Sequence, residues 1–501
     1  EVIAGLGGAL ARQGRYEESI DPLERAAKLL PTDPEVLYNL GATCNRIGRW
    51  DQGRQALVES TRIRPDHLDA QKCLGEANKQ LDKHEAAVKA YRKALSLDPK
   101  YVQGRIELGK LYELLSQDVD AAESYKDALE MKKEDHVLHG WLARVLLRLD
   151  RNDEAAEVLA RGVEVEPDDP ELLYNLGVAH NRLKAWEKAR AALTRAARLR
   201  PEHKETFVEL AQACTELGKT DDAITAYRKA TQIDADYVKG HVAVAKLYES
   251  LKRDGDAAAA YKEAARLLPN DDVMHVALGS TLQRLGRYEE AEVAWSSAAK
   301  LRPEDPEVQL NLGISANKAQ HWEVARRALQ ESVRLRPSHA DAQKNLGIAY
   351  DQLGNAKDAA EAYRRALALD PAFAFGHVAL GRLYVTLGRD TEAVDSLREA
   401  LRLLPEEAAT YANLGRALER LDRTSEAIDA FERAVKLSPD DAELVLTLGA
   451  LCKKAGRWED ARKAYAQSVR LKSDSSDGVR GLAESCAELG RADEAIDAYK
   501  R

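Results

Sequence analysis

A small residue recurs every 34 positions through this chain, and that spacing limits what the chain can fold into more than any other feature. The series runs Ser19, Gly53, Ala87, Ala121, Ala155, Ala189, Ala223, Ala257, Ala291, Ala325, Ala359, Ala393, Ala427, Ala461 and Ala495, with no insertion or deletion. Four positions after each comes a large side chain: Leu23, Leu57, Tyr91, Tyr125, Leu159, Leu193, Tyr227, Tyr261, Trp295, Leu329, Tyr363, Leu397, Phe431, Tyr465 and Tyr499. On a helix, residues four apart share a face, so every copy sets a gap beside a knob. A proline that cannot continue the helix follows at Pro31, Pro65, Pro99, Pro167, Pro201, Pro269, Pro303, Pro337, Pro371, Pro405 and Pro439. Lys133, Ala235 and Ser473 stand in its place elsewhere.

Pro170 to Pro201 shows the unit whole. Apolar residues fall at helical spacing in two runs, Leu172-Leu173-Leu176-Ala179 and Trp186-Ala189-Leu193-Ala196, parted by the polar turn Arg182-Leu183-Lys184. Two short helices back to back cannot bury their apolar faces alone, so each unit must stack on its neighbours. The 501 residues therefore read as one elongated array over 1–501 and not as several globular domains. Repeats begin near 1, 34, 68, 102, 136, 170, 204, 238, 272, 306, 340, 374, 408, 442 and 476.

The first helix of each unit carries Leu-Gly or Leu-Ala, as in Leu40-Gly41, Leu176-Gly177, Leu210-Ala211 and Leu448-Gly449. Glycine inside a helix costs about 1 kcal/mol relative to alanine. It is tolerated where a bulkier side chain would hold two helices apart, and the large residue of the second helix fills the space between them. The period, the Leu-Gly pair, the small residue with its knob and the closing proline together resemble the tetratricopeptide repeat family, along the whole chain. The resemblance implies an all-α fold, a right-handed superhelical α-solenoid of about fifteen helix-turn-helix repeats. It also implies that first helices line a concave groove and second helices face outward.

A longer period lies inside the shorter one. Trp50, Trp186, Trp322 and Trp458 are 136 residues apart, four repeats each time. In step with them are Asp33, Asp169, Asp305 and Asp441; Glu35, Glu171, Glu307 and Glu443; and Arg54, Arg190, Arg326 and Arg462. Asn45, Asn181 and Asn317 match, while Lys453 breaks the series. Gly104, Gly240 and Gly376 keep the same spacing two repeats on, as do Tyr112, Tyr248 and Tyr384. The chain reads as a four-repeat block copied in tandem.

Composition excludes several function classes. The net charge of −9 is spread along the chain without a basic block, so no nucleic-acid partner is expected. No apolar run approaches the roughly 20 residues that span a bilayer, and no signal peptide opens the sequence. No membrane insertion is expected, and the expected location is cytoplasmic. Five cysteines without a Cys-x-x-Cys pair suit reduced thiols. Cys44, Cys214, Cys452 and Cys486 share one repeat position, a core slot in which a thiol behaves as a small hydrophobe, and Cys73 lies elsewhere. Glu1 falls inside a repeat and Arg501 in mid-helix, so the chain is expected to be a piece of a longer protein.

No residue set carries catalytic chemistry, and the chain is expected not to be an enzyme and to need no cofactor. Gly5-Leu6-Gly7-Gly8 lacks the preceding strand and the third glycine of a dinucleotide fingerprint. His84-Glu85 lacks the second histidine of a helical zinc site. His67, His203 and His339 sit in linkers and at helix starts, His180 and His377 sit singly, and none has metal-ligand spacing. All these histidines are expected on the surface or in the groove. The four in-phase tryptophans suit core packing, with a partly exposed row of indole edges as the alternative.

Function is therefore sought in the groove. By the family's geometry, positions 2, 5, 6, 9, 12 and 13 of each first helix point into it. The family's two-carboxylate clamp for peptide C-termini is not present: its Lys and Asn slots read Lys72 with Glu76 and Lys344 with Ile348. A ladder of groove asparagines is another family device. Asn39, Asn175, Asn311, Asn345 and Asn413 occupy its slot, interrupted by Glu107, Trp141, Glu209, Ala243, Ala277, Ala379 and Thr447. Asparagine there is also common in the repeat at large, which leaves the ladder open.

The middle groove has apolar content of its own. Val208, Val242, Val276, Leu310 and Val378 take slot 5, Ile314 and Ile348 slot 9, and Val273 and Phe375 slot 2. Lys246, Arg382 and Arg416 flank them, with Lys110 and Arg144 nearer the N-terminus. Such a patch suits an amphipathic or extended segment with acidic flanks; the other reading is that neighbouring helices cover it. In the Pro170 unit the groove candidates are Tyr174, Asn175, Val178 and Asn181.

The expectation is a non-enzymatic scaffold whose partners are peptide segments or proteins, amphipathic or acidic, held in the groove. The Arg- and Ala-rich composition points to a bacterial source. By analogy such arrays organise polarity, pilus and motility, secretion or envelope assemblies. Two alternatives stand beside it: a substrate-recruiting arm of a larger enzyme such as a protein O-glycosyltransferase, and a self-assembling scaffold.

Overall fold

A computed structural model describes residues 1–500. Thirty helices follow one another, with no strand among the described residues. The chain divides into two compact units, Glu1–Leu247 and Tyr248–Arg501, each a run of helical hairpins. No helix is long and apolar enough to cross a membrane.

Apart from Val2–Arg12 with 11 residues and Ala492–Tyr499 with 8, first helices hold 13 residues, as in Pro34–Arg46 and Pro170–Arg182, and second helices hold 14, as in Trp50–Ile63 and Trp186–Leu199. Several first helices start on a side-chain cap. Asp169 Oδ1 accepts the backbone N–H of Glu171 at 2.8 Å and of Leu172 at 3.1 Å, while Pro170 occupies the first helical position, where no N–H is needed. Asp33, Asp305 and Asp441 cap in the same way, which accounts for one member of the 136-residue period.

The turn inside each hairpin has one geometry throughout. Position 15 of the repeat is left-handed, with glycine at Gly14, Gly48, Gly218, Gly286, Gly354, Gly388, Gly456 and Gly490. Asp82, Ser116, Asp150, Lys184, Lys252, Gln320 and Asp422 adopt the same conformation with side chains, at φ between 55° and 63°. In the Pro170 unit, Lys184 N–H donates to Asn181 O at 3.0 Å and Ala185 N–H to His180 O at 2.8 Å, which satisfies carbonyls left over at the helix end.

The gap and the knob pack as the spacing requires. Ala189 and Leu193 are both fully buried, and a Cβ placed on Gly177 would fall 2.3 Å from Leu193 Cγ. Gly313 stands in the same relation to Leu329, at 2.3 Å, and Gly109 to the Tyr125 ring, at 2.4 Å. Gly104, Gly240 and Gly376 serve a different contact: a Cβ there would strike Tyr101, Tyr237 and Phe373, the aromatic residue three positions earlier. These joints link the hairpins into extended cores. The largest in the first unit spans Ala87 to Ala179, and the largest in the second spans Ala359 to Tyr465.

Candidate functional site

Each first helix buries one stripe against its second helix and turns the opposite stripe outward. Positions 2, 9 and 13 are the open ones, and positions 5 and 6 are mostly half-buried. In the first unit, Asn39, Tyr174, Asn175, Val178, Val208 and Val242 are half-buried and Lys246 is exposed. In the second unit, Val276, Asn311, Ile314, Asn345, Ile348, Val378 and Asn413 are half-buried, while Arg382 and Arg416 are exposed. Val273 and Phe375, at slot 2, stand well out into solvent.

Two expected groove residues are not surface residues. Asn181 is 4% exposed and donates its amide to Glu209 O at 3.0 Å and to Glu209 Oε2 at 2.7 Å. Position 12 thus faces the neighbouring first helix and not the groove. Leu310 is 5% exposed and lies in a cluster with Leu329, Ala342 and Leu346, where its longer side chain completes the core. Histidine placement also departs from expectation. His67 is buried, its Nδ1 accepts the Ala70 N–H at 3.3 Å, and it caps its helix where aspartate does so elsewhere.

The asparagine slot is chemically uneven. Asn311 and Asn345 each donate one amide N–H back to their own helix, to Glu307 O and Asp341 O at 2.9 and 2.8 Å, which holds both side chains against it. Asn413 Oδ1 receives Arg416 at 3.4 Å. Asn39 and Asn175 make no side-chain hydrogen bond within the described residues, which leaves these two free to meet a peptide backbone.

Several cations around the stripe are already paired, Arg382 and Arg144 by the preceding repeat and Lys110 within its own helix. Arg382 is paired with Asp351, Lys110 with Glu107 at 3.2 Å, and Arg144 with Glu113 at 3.0 Å. Lys110 also lies 4.7 Å from the centre of the Trp141 ring. Tyr174 meets His203 edge-on with ring centres 5.0 Å apart, and burial pushes its phenol up. Tyr38 and His67 repeat that pairing one block earlier, at 4.6 Å. Trp50, Trp186, Trp322 and Trp458 are half-buried, between the two alternatives the sequence left open.

Burial disfavours the thiolate form of the cysteines. Cys44, Cys214, Cys452 and Cys486 are buried, and burial raises Cys44, Cys73 and Cys452 each to about 11. No group of three or more His, Cys, Asp or Glu that could hold a metal ion occurs among the described residues.

Family models decide what this arrangement belongs to. Tetratricopeptide repeat models match residues 142–204, 276–320, 310–372, 378–442 and 420–478, and a TPR repeat model matches 7–46, 75–116 and 211–252. The chain belongs to the tetratricopeptide repeat family. No curated protein matches this tetratricopeptide chain. Solved structures similar to it include MamA, at 27% identity over 31% of this chain and 91% of that one, with a TM-score of 0.30. YrrB, a TPR protein with an unusual peptide-binding site, matches at 20% identity over 37% and 96%, with a TM-score of 0.32. The Naa15/Naa10 complex bound to HypK-THB matches at 14% identity over 99% and 92%, with a TM-score of 0.41.

Sequence reasoning missed two features of these repeats. One is the position-12 clasp, which polar residue type alone did not separate from a groove contact. The other is the half-buried carboxylate Glu113, held by Tyr125 and two arginines; its signal was present in the 136-residue spacing of Glu113, Tyr125 and Arg148 from Glu249, Tyr261 and Arg284.

Proposed function

We propose that this tetratricopeptide chain is a protein-binding scaffold that holds amphipathic peptide segments along the open stripe of its first helices. The observation that carries this reading is the half-exposed valine repeated at slot 5. In the first unit Val208 and Val242 stand there in successive repeats, with Lys246 one helical turn on from Val242. In the second unit Phe375, 55% exposed, precedes Val378 on one helix, with Arg382, itself paired to Asp351, one turn further on. Apolar side chains left partly open beside cations suit a partner with an apolar face and acidic flanks. Asn39 and Asn175 add free amide groups for an extended backbone.

The test is affinity purification from the source organism with wild type, Val242→Asp and Phe375→Asp, each first checked for an unchanged melting temperature. The scaffold reading expects a specific set of proteins on wild type that each variant depletes. Identical recovery on all three would sink it.

A further inference from the structure

A second surface lies on the other side of the first unit's helices. A cavity of about 630 Å³ opens between helices Trp186–Leu199, Lys204–Glu216 and Thr220–Ile233. Phe207 and Cys214 form its floor from the first helix, at positions 4 and 11 of the repeat. At about 100° per residue, that stripe is turned roughly 100–160° around the helix from the one carrying Val208 and Gln212. The cavity is therefore separate from the groove proposed above.

Comparison with the other copies of the four-repeat block explains why space remains here. One block earlier, the position of Cys214 holds Asn78, which accepts Arg54 Nε at 2.9 Å and closes the gap. One block later it holds Tyr350, whose hydroxyl accepts Gln330 Nε2 at 2.5 Å. In the last copy it is Cys486, but Glu494 reaches across, 3.9 Å from the thiol and 3.7 Å from Arg462. At Cys214 the matching residues are too short: Asp222 replaces that glutamate and Thr194 replaces Gln330.

Charge is placed on the rim and apolar surface on the floor. Cys214 and Ala226 are buried, whereas Arg228 and Lys229 are exposed and make no ion pair among the described residues. Arg190 sits on the opposite wall, 3.2 Å from Glu187. Three cations face one lining carboxylate, Asp222, on a chain whose net charge is −9. Rim charges meet the groups beside an inserted side chain, not the inserted group itself, which favours a peptide over a compact anion. The volume is within the range that admits a large side chain and its backbone.

We infer that the cavity between Arg190, Cys214 and Lys229 is an anchoring site for an acidic peptide segment of a partner protein, which inserts one aromatic or leucine side chain flanked by carboxylates. The apolar side chain covers Phe207, Cys214 and Ala226, and its flanking carboxylates meet Arg228 and Lys229.

Fluorescence anisotropy on the full chain tests this, with a labelled peptide Asp-Glu-Gly-Phe-Gly-Glu-Asp as probe. Wild type is expected to bind it. Replacing Phe by Ala in the peptide, or Asp and Glu by Lys, should weaken binding about 10-fold or more. Cys214→Tyr, which installs the side chain found at Tyr350, should weaken it by a similar factor, and so should Ala226→Leu if the tyrosine variant misfolds by circular dichroism. Lys229→Glu should do the same while keeping the floor, and a probe lost on Val242→Asp but kept on Cys214→Tyr would be held in the groove and would overturn the inference. The inference is overturned if wild type shows no binding up to about 1 mM peptide, if the filling and charge variants bind as wild type, or if the lysine peptide binds equally well. It is also overturned if wild type dimerises in sedimentation and Cys214→Tyr does not, because the cavity would then hold a second copy of the chain.

Discussion

Asn181 donates its side-chain amide to the main-chain carbonyl of Glu209, 28 residues further on, at 3.0 Å. Asn45 does the same to Cys73 O and Asn317 to Asn345 O, each at 2.9 Å and each across 28 residues. Gln283 reaches Asn311 O at 3.1 Å from the same repeat position. Where the asparagine series breaks, Lys453 pairs with Glu484 at 2.6 Å instead. In these repeats position 12 clasps one first helix to the next.

The clasp predicts an order of effects. Asn181→Ala removes the donor, but the mid-helix carbonyl it met keeps its own helical partner, and the buried Asn181 Oδ1, which has no partner, is removed with it. The loss should be about 1 kcal/mol or less. Asn181→Asp keeps the size but turns a buried oxygen pair against Glu209 Oε2, now 2.7 Å from the amide nitrogen, and should destabilise more than alanine. Urea melts of both variants at neutral pH give the comparison; alanine costing more than aspartate would refute the clasp.

The left-handed turn at position 15 yields a stabilising change. Lys184 holds φ 57° and Gln320 φ 63° where eight other repeats use glycine. A side chain in that conformation costs roughly 1–2 kcal/mol, which glycine relieves at some loss of chain entropy in the unfolded state. Lys184→Gly should gain about 1 kcal/mol or slightly less, and Gly286→Ala should lose a similar amount. Opposite shifts in the urea midpoint are the expected result, and shifts of the same sign would rule out strain as the cause.

Fold and site were legible to different depths, for physical reasons. The pairing of Gly177 with Leu193, and of Ala189 with the helix crossing, was readable because close approach of two helices demands small residues at fixed spacing. The turn at Lys184 was readable as a turn but not as left-handed, since lysine there gives no glycine signal. At the groove the reading stopped at the helix face. Slot 5 carries Val276, half-buried, and Leu310 and Ala412, buried, so residue type at that slot does not tell surface from core. Asn175 and Asn181 are the same residue type on one helix. Only the neighbouring helix, contributing Glu209, separates a free amide from a clasp. The cavity at Cys214 was invisible for the same reason: it arises from what is missing on three helices at once, and a thiol in a core slot reads as filled space.

The half-buried carboxylate Glu113 makes acid stability depend on a small cluster. Its oxygens accept Tyr125 OH at 2.7 Å, Arg144 at 3.0 Å and Arg148 at 2.8 Å. Burial pushes Glu113 up, but the hydrogen bonds from Tyr125, Arg148 and Arg144 outweigh it and hold the carboxyl below the usual glutamate range. Glu249, with Tyr261 at 2.6 Å and Arg284 at 2.6 Å, is the copy in the second unit and is lowered in the same way. In the third copy Val385 and Leu397 replace the acid and the tyrosine, and the arginine, Arg420, donates to Val385 O at 2.8 Å. A carboxyl whose folded value lies below its unfolded one adds stability that is present above the unfolded value, near pH 4.3, and is lost as pH falls through the folded value. The melting temperature of wild type should therefore drop steeply below about pH 4. Glu113→Gln should lower it at neutral pH, where Arg144 and Arg148 lose their shared partner, yet flatten its fall in acid. Glu113→Gln/Glu249→Gln should flatten it further, because the two clusters are 136 residues apart, share no side chain and act independently. Thermal melts from neutral pH to about pH 3 read this directly. Curves that stay parallel for wild type and both variants would mean the acid sensitivity arises elsewhere.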